Sequence, residues 1–260
     1  MKLEVHDLTC GYDARHPLQQ YVNFAVDRGE ICCILGPNGC GKSTLFKTIL
    51  SLIPALGGCV TVDGSDISEW SPRHLSDIFA YVPQHDEQAF EYQVKDLVLM
   101  GRVSKAGRRT GPTVEDYQIA EDAMRQMGVY ELRNKRYTHI SGGELQLTLI
   151  AKALTQRPRI LILDEPTSAL DYGNVVAVIR KIKELAQQGY LILMTTHSPD
   201  HAFMCQSNVV LLRKDRPMKF GRSADVITEK NMRDAYGVDV KVVEFVNTKQ
   251  EITRMCAPVF

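Results

Sequence analysis

The sequence predicts a mixed α/β fold organised around a glycine-rich loop, and three adjacent features carry this prediction. Residues 31–35 (ICCIL) form a short apolar run that is typical of a buried strand. Residues 36–44 (GPNGCGKST) match the phosphate-binding pattern G-x-x-x-x-G-K-[ST]. Beyond them, Leu45, Ile49 and Leu52 recur at helical spacing. The order strand, loop and helix is the one that this pattern requires.

Such a loop suits a polyphosphate because backbone N–H groups and the positive end of a helix dipole point at one spot. Lys42 would reach the β- and γ-phosphates, and the Ser43 hydroxyl would ligate Mg²⁺. The alternative is a glycine-rich turn that binds nothing. The predicted phosphate-binding residues are Gly36, Pro37, Asn38, Gly39, Cys40, Gly41, Lys42, Ser43 and Thr44.

Length and composition are those of an ordinary globular protein. The 260 residues suffice for one large domain or two modest ones, with 44% hydrophobic and 24% charged residues. The formal net charge is zero, so we expect no nucleic-acid partner, and the basic pair Arg108-Arg109 is expected to be solvated. No apolar run approaches the roughly 18 residues of a membrane span, and residues 1–7 do not resemble a signal peptide. We expect a soluble, cytosolic chain whose membrane role, if any, comes through a partner.

The seven cysteines include no C-x-x-C pair. Cys32, Cys33 and Cys59 lie in apolar, strand-like runs, which favours reduced core thiols over disulfides or zinc ligands. Cys40 lies inside the glycine-rich loop. It is either a small residue tolerated there or a redox sensor, and a sensor would need a lowered thiol pKa.

The N-terminal third predicts a small antiparallel sheet. Residues 3–8 and 21–26 alternate apolar with polar side chains, as strands with one wet face do. A further strand is predicted at 59–62, between turns at 57–58 and 63–64. Tyr12 lies on the loop between the first two strands and is either an ordinary turn residue or an aromatic ring that stacks on a base.

The middle of the chain predicts a helical insertion. Residues 80–82 form a short strand that ends at Pro83-Gln84, and from about 85 to 140 the composition changes. We expect a loop at 107–112. The helical stripe that follows consists of Tyr117, Ala120, Met124 and Met127.

A second glycine pair opens the next predicted helix, at residues 141–144 (SGGE), whose stripe continues through Leu145, Leu149, Ala153 and Leu154. A Ser followed three residues later by Glu is a capping box, so this stretch can be a plain helix cap. Two adjacent glycines are not needed for a cap, and they would let a phosphate approach the backbone closely.

The last part of the chain alternates buried strands with helices. Residues 160–163 are continuously apolar and end in Asp164-Glu165, a pair in which one carboxylate can hold Mg²⁺ and the other can act as general base. Residues 190–196 predict another buried strand ending at His197, which taken alone could be a core histidine. The remaining predictions are a helix through 175–185, a strand at 209–212, a polar helix at 223–236 and a terminal strand at 240–246.

In this order, the glycine-rich loop, Ser-Gly-Gly-Glu, Asp-Glu and the histidine after a strand resemble the ATP-binding subunit of an ABC transporter. The resemblance spans residue 3 to about 240 and implies a P-loop α/β core, an antiparallel β subdomain and an inserted helical subdomain. We expect a single domain over 1–260, with the helical subdomain at about 85–155 and a C-terminal extension at about 221–260. Departures from the family pattern are Ile140, Glu144, Leu145 and Lys152.

The resemblance also implies a role for each matching residue. Tyr12 would stack on adenine, Gln84 would sense Mg²⁺ and the attacking water, and Asp164 would be linked to Mg²⁺. Glu165 would be the catalytic glutamate and His197 the switch histidine. Two further segments would act in an ATP-bridged homodimer: Ser141, Gly142, Gly143 and Glu144 at the γ-phosphate of the other copy, and residues 168–171, ending at Asp171, as the dimer-spanning loop.

The implied partners are a second copy of the chain, integral-membrane permease subunits and, indirectly, a solute-binding protein, with the chain peripheral at the cytoplasmic face of the cell membrane. The implied cofactors are ATP and Mg²⁺. Residues 96–102 and 221–238 resemble the subfamily that imports ferric siderophores, haem, cobalamin or molybdate. This resemblance implies that the Arg102 region would lie near the permease. The alternatives are a soluble ABC ATPase without a transport role and a nucleotide-gated binding module that does not hydrolyse ATP.

Overall fold

The computed structural model describes residues 1–84, 91–102, 111–214, 216–246, 250 and 252–260. They fall into two compact units, Met1–Trp70 with Ala186–Phe260, and Ser71–Leu185. Helices occur together with parallel and antiparallel strands, so the predicted α/β class is confirmed. Within these residues no helix combines the length and the apolar character needed to cross a bilayer. The single-domain organisation stays a prediction.

The first unit begins with an antiparallel sheet whose strands lie in the order β2 (Gln19–Asp27), β1 (Lys2–Cys10), β4 (Gly57–Val62) and β5 (Ser65–Asp66). The alternation of apolar and polar residues explains why one face of this sheet is buried. Leu3 and Val5 of β1 are buried and pair with Val26 and Phe24 of β2. The sheet therefore has the one wet face that the sequence predicts.

A buried, largely parallel sheet forms the core of the first unit. Strand β3 (Ile31–Leu35) lies between β8 (Leu191–Thr195) and β9 (Asn208–Arg213) and runs parallel to both. Every residue of these three strands is buried, which is why their central residues are apolar in succession instead of alternating. Strand β10 (Arg216–Arg222) pairs antiparallel with β9.

Two local predictions in the first unit are wrong. Helix α1 (Lys42–Ile49) ends before Leu52, which is 63% exposed and belongs to the following turn. Gly57 and Gly58 open strand β4 instead of forming a separate turn. Gly58 has φ +73°, and a Cβ there would lie 2.3 Å from the His6 carbonyl oxygen, so the strand needs glycine at this point.

The C-terminal part of the first unit also differs from the prediction. The polar helix expected at 223–236 is two helices, α8 (Ser223–Val226) and α9 (Glu229–Tyr236), because the Thr228 hydroxyl caps a new helix by accepting from the Asn231 N–H. The strand expected to end the chain, β11 (Val240–Val246), pairs with a further strand, β12 (Ile252–Pro258). Helix α7 (Pro199–Cys205) precedes β9.

The second unit carries a parallel pair of strands, β6 (Phe79–Val82) and β7 (Ile160–Leu163). Its helices are α2 (Pro72–Ile78), α3 (Val94–Leu99), α4 (Val114–Met127), α5 (Gly142–Leu154) and most of α6 (Tyr172–Gln187). Helix α4 buries Ala120, Met124 and Met127 as predicted, but Tyr117 is 53% exposed and does not belong to the buried stripe. Of the loop predicted at 107–112, residues 107–110 lie outside the described residues. They include Arg108 and Arg109.

A buried ion pair holds the start of α4. The Arg102 guanidinium donates from Nε to Asp116 Oδ1 at 2.7 Å and from Nη1 to the Thr155 carbonyl at 2.8 Å. The Thr113 N–H and hydroxyl donate to Asp116 Oδ2. These hydrogen bonds, first that from the Thr113 amide, lower the pKa of Asp116 to about 2. The Arg102 side chain is 11% exposed, so it contributes to the interior of the unit. The proximity of the Arg102 region to a permease stays a prediction.

The depressed pKa of Asp116 makes this part of the fold sensitive to acid. Because the folded pKa of about 2 lies below the unfolded value near 3.9, the stabilisation is complete above pH ~4 and is lost as pH falls towards 2. In Asp116→Asn no titration occurs at this site. We expect wild type to melt several degrees above Asp116→Asn at pH 7, and this difference to shrink between pH 4 and 2.

The control is Asp122→Asn, on the same helix, whose side chain is 63% exposed. Its melting temperature should stay close to that of wild type throughout the range. A gap between wild type and Asp116→Asn that is equally wide at pH 7 and at pH 2.5 would contradict the assignment.

Candidate functional site

The glycine-rich loop lies between β3 and α1, and the backbone strongly favours glycine at Gly36 and Gly41. A Cβ at Gly36 would lie 2.7 Å from Cys40 Sγ and 2.8 Å from the Leu212 carbonyl oxygen. Gly41 is the N-cap of α1 and has φ +99°, a conformation that residues with a side chain rarely adopt. The chain therefore reverses tightly and delivers the N-terminus of α1 to the loop.

Lys42 is held across this loop. It is 6% exposed, and its Nζ donates to the carbonyls of Gly36 at 2.8 Å and Pro37 at 3.3 Å. Asn38 and Gly39 are exposed at the tip of the loop. An ammonium group oriented by backbone carbonyls at a helix N-terminus is a suitable partner for phosphate oxygens. Ser43 and Thr44 follow in the first turn of α1.

Cys40 has the chemistry of a small packing residue. It is 5% exposed, and burial raises the pKa of its thiol, an effect that the charge of Lys42 opposes only in part. A raised pKa keeps the sulfur protonated, whereas a redox sensor needs thiolate. All seven cysteines of the chain are free thiols.

Sequence reasoning missed Gln19, which contacts the same loop. Its Nε2 donates to the Cys40 carbonyl at 2.9 Å and to the Arg213 carbonyl at 3.1 Å, and the residue is 5% exposed. Strict alternation from Val22 would direct Gln20 inward. Tyr21 has φ +53°, and this left-handed residue reverses the phase so that Gln19 is buried and Gln20 is exposed.

Tyr12, the predicted base-stacking residue, lies on the loop after β1 and is 68% exposed. An aromatic ring with this much free surface is available to stack on a planar ligand.

In the second unit, each carboxylate of the Asp164-Glu165 pair has its own hydrogen-bond donor. Asp164 follows β7, is 4% exposed and accepts from the Tyr81 hydroxyl at 3.2 Å. Gln84 Nε2 donates to Glu165 Oε2 at 2.6 Å. Glu165 has φ +50°, an uncommon conformation for a residue with a side chain and one that recurs at functional sites. The structure thus brings Gln84 and Glu165 into contact. The sequence analysis assigned a role to each residue but did not predict this contact.

Tyr81 is a further residue that sequence reasoning did not identify. Burial, followed by the charge of Asp164, raises the pKa of its hydroxyl well above the usual range. The hydroxyl therefore stays protonated and remains a donor to the carboxylate. Only its position in the strand before Gln84 could have drawn attention to it.

The Ser-Gly-Gly-Glu segment forms the capping box that the sequence predicts. Ser141 Oγ accepts from the Glu144 N–H at 3.3 Å, and the Ser141 N–H donates to Glu144 Oε2 at 2.7 Å. This second bond lowers the pKa of Glu144 and keeps it ionised. The glycines occupy the first two positions of α5, where N–H groups have no partner within the helix.

Asn174 links this helix start to the segment that ends at Asp171. Its N–H and its Nδ2 donate to the two carboxylate oxygens of Asp171, each at 2.8 Å. Its side chain lies against Gly143, where a Cβ would come within 2.3 Å of Asn174 Oδ1. The structure therefore brings Gly143 and Asp171 together through a residue that the sequence analysis did not single out.

His197 follows β8 in the first unit and is exposed. The preceding residue, Thr196, fixes the segment, since its hydroxyl lies 2.8 Å from His201 Nδ1 and accepts from the Ser198 N–H at 3.1 Å. Burial lowers the pKa of His201, so its ring is neutral at pH 7 and can serve as a hydrogen-bond partner.

Comparison with known proteins decides the family. The model of the family described as ABC transporter matches residues 19–168, more than half of the chain. The chain belongs to the ABC transporter family. ATP-binding subunits of ABC transporters are ATPases coupled to transport, so the chain binds and hydrolyses ATP.

Similar proteins serve import systems. The molybdate import ATP-binding protein MolC of Haemophilus influenzae is 35% identical, over 88% of this chain and 86% of that protein. The hemin import ATP-binding protein HmuV of Thermobifida fusca is 33% identical, over 95% of this chain and 86% of that protein. A solved metal-chelate type ABC transporter in an inward-facing conformation matches with a TM-score of 0.87 and 31% identity, over 99% of this chain and 97% of that one.

The contact between Gly143 and Asn174 predicts a specific pattern of stabilities. Gly143→Ala places a methyl group into the Asn174 side chain, and such overpacking typically costs about 1–3 kcal/mol in the free energy of unfolding. Asn174→Ala removes two of the three nearest atoms, so the double variant should recover part of this loss. Denaturant unfolding of the three variants measures the coupling.

Gly142→Ala is the matched control on the neighbouring residue. A Cβ at Gly142 meets only the flexible end of Leu170, at 3.1 Å, so the loss should be markedly smaller. Equal losses for the two glycines, or purely additive effects of Gly143→Ala and Asn174→Ala, would rule out the contact as the cause.

Proposed function

We propose that two copies of this chain bind two ATP molecules between them and power a membrane permease that imports a metal chelate. The observation that carries the hydrolytic part is the 2.6 Å hydrogen bond from Gln84 to Glu165, whose backbone is held at φ +50°. A carboxylate fixed by an amide donor in a strained loop is suited to act on a water molecule.

The phosphates of ATP would bind at residues 36–44. Lys42 would exchange its bonds to the Gly36 and Pro37 carbonyls for the β- and γ-phosphates, and backbone N–H groups at the start of α1 would surround them. Tyr12, with 68% of its surface exposed, would stack on adenine.

The Ser43 hydroxyl and the Asp164 carboxylate are hard oxygen donors of the kind that Mg²⁺ prefers, and they would be its protein ligands. The described residues contain no group of three His, Cys, Asp or Glu side chains placed to hold a metal ion. The ion would therefore depend on phosphate oxygens and water for its remaining ligands, as Mg²⁺ in phosphoryl-transfer sites usually does. When bound, it would neutralise charge on the transferred phosphoryl group.

Hydrolysis would depend on three side chains of the chain itself. Glu165 would accept a proton from the attacking water, and Gln84 would orient that water and the carboxylate. His197, exposed after β8, would donate to the γ-phosphate and stabilise the charge that develops on it.

The second copy would complete each site. Residues 141–144 at the start of α5 would close on the γ-phosphate bound by the other copy, since helix N-termini favour anions. Asp171 would lie at the same interface. The two hydrogen bonds from Asn174 would hold it at a fixed position relative to Gly143. Loss of the γ-phosphate would remove this bridge, and the two copies would separate and drive the permease between its states.

The similarity to MolC, to HmuV and to the metal-chelate type transporter supports a chelated metal or an oxyanion as the cargo. Molybdate, haem, a ferric siderophore and cobalamin are the candidates. The chain would be peripheral at the cytoplasmic face of the cell membrane, bound to permease subunits that receive cargo from a solute-binding protein.

Glu165→Gln tests the proposed catalytic base. We expect its ATP turnover to fall about 10²–10⁴-fold, because an amide cannot accept the proton, while ATP binding is retained. ATP should then trap the dimer, so that light scattering shows twice the 29.2 kDa mass of one chain. Glu131→Gln, in the same unit and with a side chain 90% exposed, is the matched control and should hydrolyse ATP at the wild-type rate.

Hydrolysis by Glu165→Gln at the wild-type rate would overturn the assignment of the base. The cargo is tested by measuring ATP turnover with the permease encoded beside this chain and each candidate in turn, supplied through the solute-binding protein. Stimulation by one of them would establish import. ATP turnover that does not change with any permease or cargo would instead favour a soluble ATPase without a transport role. Absence of ATP turnover with intact ATP binding would favour a nucleotide-gated binding module.

A further inference from the structure

The Gln19 side chain joins two backbone segments that are far apart in the sequence. Both hydrogens of its amide group are used, one on the carbonyl of Cys40 in the glycine-rich loop and one on the carbonyl of Arg213 at the end of β9. We propose that Gln19 is a positioning residue for ATP, which acts by holding the peptide between Cys40 and Gly41 so that its N–H faces the phosphates. This inference rests on the proposed binding of phosphates at residues 36–44.

Peptide geometry explains how a bond to a carbonyl can orient an N–H group. The Cys40 carbonyl and the Gly41 N–H belong to one planar trans peptide and point in opposite directions. Gln19 fixes the carbonyl side, so the N–H is directed away from Gln19 and towards the loop. A donor on the carbonyl also polarises the peptide and makes its N–H a better donor.

This peptide needs such a restraint because of the residue that follows it. Gly41 has φ +99° and no side chain, so its backbone rotates more easily than that of a residue with a Cβ. A Cβ at Gly41 would meet Leu18 at 3.1 Å and Gln19 at 3.6 Å, which shows how closely the start of β2 approaches the loop.

The other end of the link is rigid. Arg213 belongs to β9, a strand buried along its whole length that pairs with β3. The Arg213 side chain is itself 9% exposed, and its Nε donates to the Pro217 carbonyl at 2.9 Å. Gln19 therefore sets the position of the glycine-rich loop relative to the parallel sheet from which the loop emerges.

Burial of an amide is unfavourable unless its hydrogen bonds are made, so a residue of this type at a 5% exposed position indicates that the two bonds matter. Methionine has nearly the same length and volume but no donor. Gln19→Met would keep the packing and release the Cys40 carbonyl.

The experiment compares wild type, Gln19→Met and Gln20→Met by titration with ATP, ADP and AMP. Gln20 is the neighbouring residue, of the same type, with an exposed side chain. We expect Gln19→Met to bind ATP and ADP about 5- to 20-fold more weakly, because the Gly41 N–H would no longer be positioned to donate to a charged phosphate oxygen. AMP has no β-phosphate, so its affinity should not change, whereas a general loss of structure would weaken all three nucleotides. Gln20→Met should match wild type.

Unchanged ATP and ADP affinities in Gln19→Met, or an equal loss for AMP, would overturn the inference. If Gln19→Met does not fold, Gln19→Asn replaces it, because the shorter amide cannot reach both carbonyls and should show the same selective loss. Wild-type protein whose nucleotide affinity is independent of the β- and γ-phosphates would overturn the proposed phosphate site as well. The two failures are thus distinguished by the behaviour of wild type alone.

Discussion

The structure depends on one tight reversal of the chain between β3 and α1. Gly36 leaves a fully buried strand with no room for a side chain beside Cys40 and Leu212, and Gly41 starts the helix from a left-handed conformation. Because β3 lies between β8 and β9, this reversal has a fixed place in the parallel sheet. The reversal brings the N-terminus of α1 to the loop, where Lys42 bonds the Gly36 and Pro37 carbonyls.

Much of this site was predictable because its signals are local. The loop pattern, the cap at Ser141 and the continuously apolar strands are each encoded within about ten residues, and the structure contains all of them. Gln19 and Tyr81 could not be found this way, since their partners lie 21, 83 and 194 residues away. For Gln19 the local pattern even indicates the wrong face of β2, because the left-handed Tyr21 reverses the alternation.

The acidic pair after β7 shows how a fold can distinguish two adjacent carboxylates. Asp164 is buried and accepts from a tyrosine hydroxyl whose pKa is raised, so this donor is permanent. Glu165 is less buried and accepts from Gln84, an exposed side chain. Asp164 is therefore held by a donor that stays protonated, whereas the donor to Glu165 lies on an exposed side chain.

The start of α5 reconciles two interpretations that the sequence left open. The Ser141 hydroxyl satisfies the N–H of Glu144, the third helical position, and the Glu144 carboxylate bonds back to the Ser141 N–H. The N–H groups of Gly142 and Gly143 have no partner within the helix, so capping does not consume them. The hydrogen bond from the Ser141 N–H lowers the pKa of Glu144 and engages its negative charge. A capped helix can thus still offer two glycine amides and its dipole to an anion.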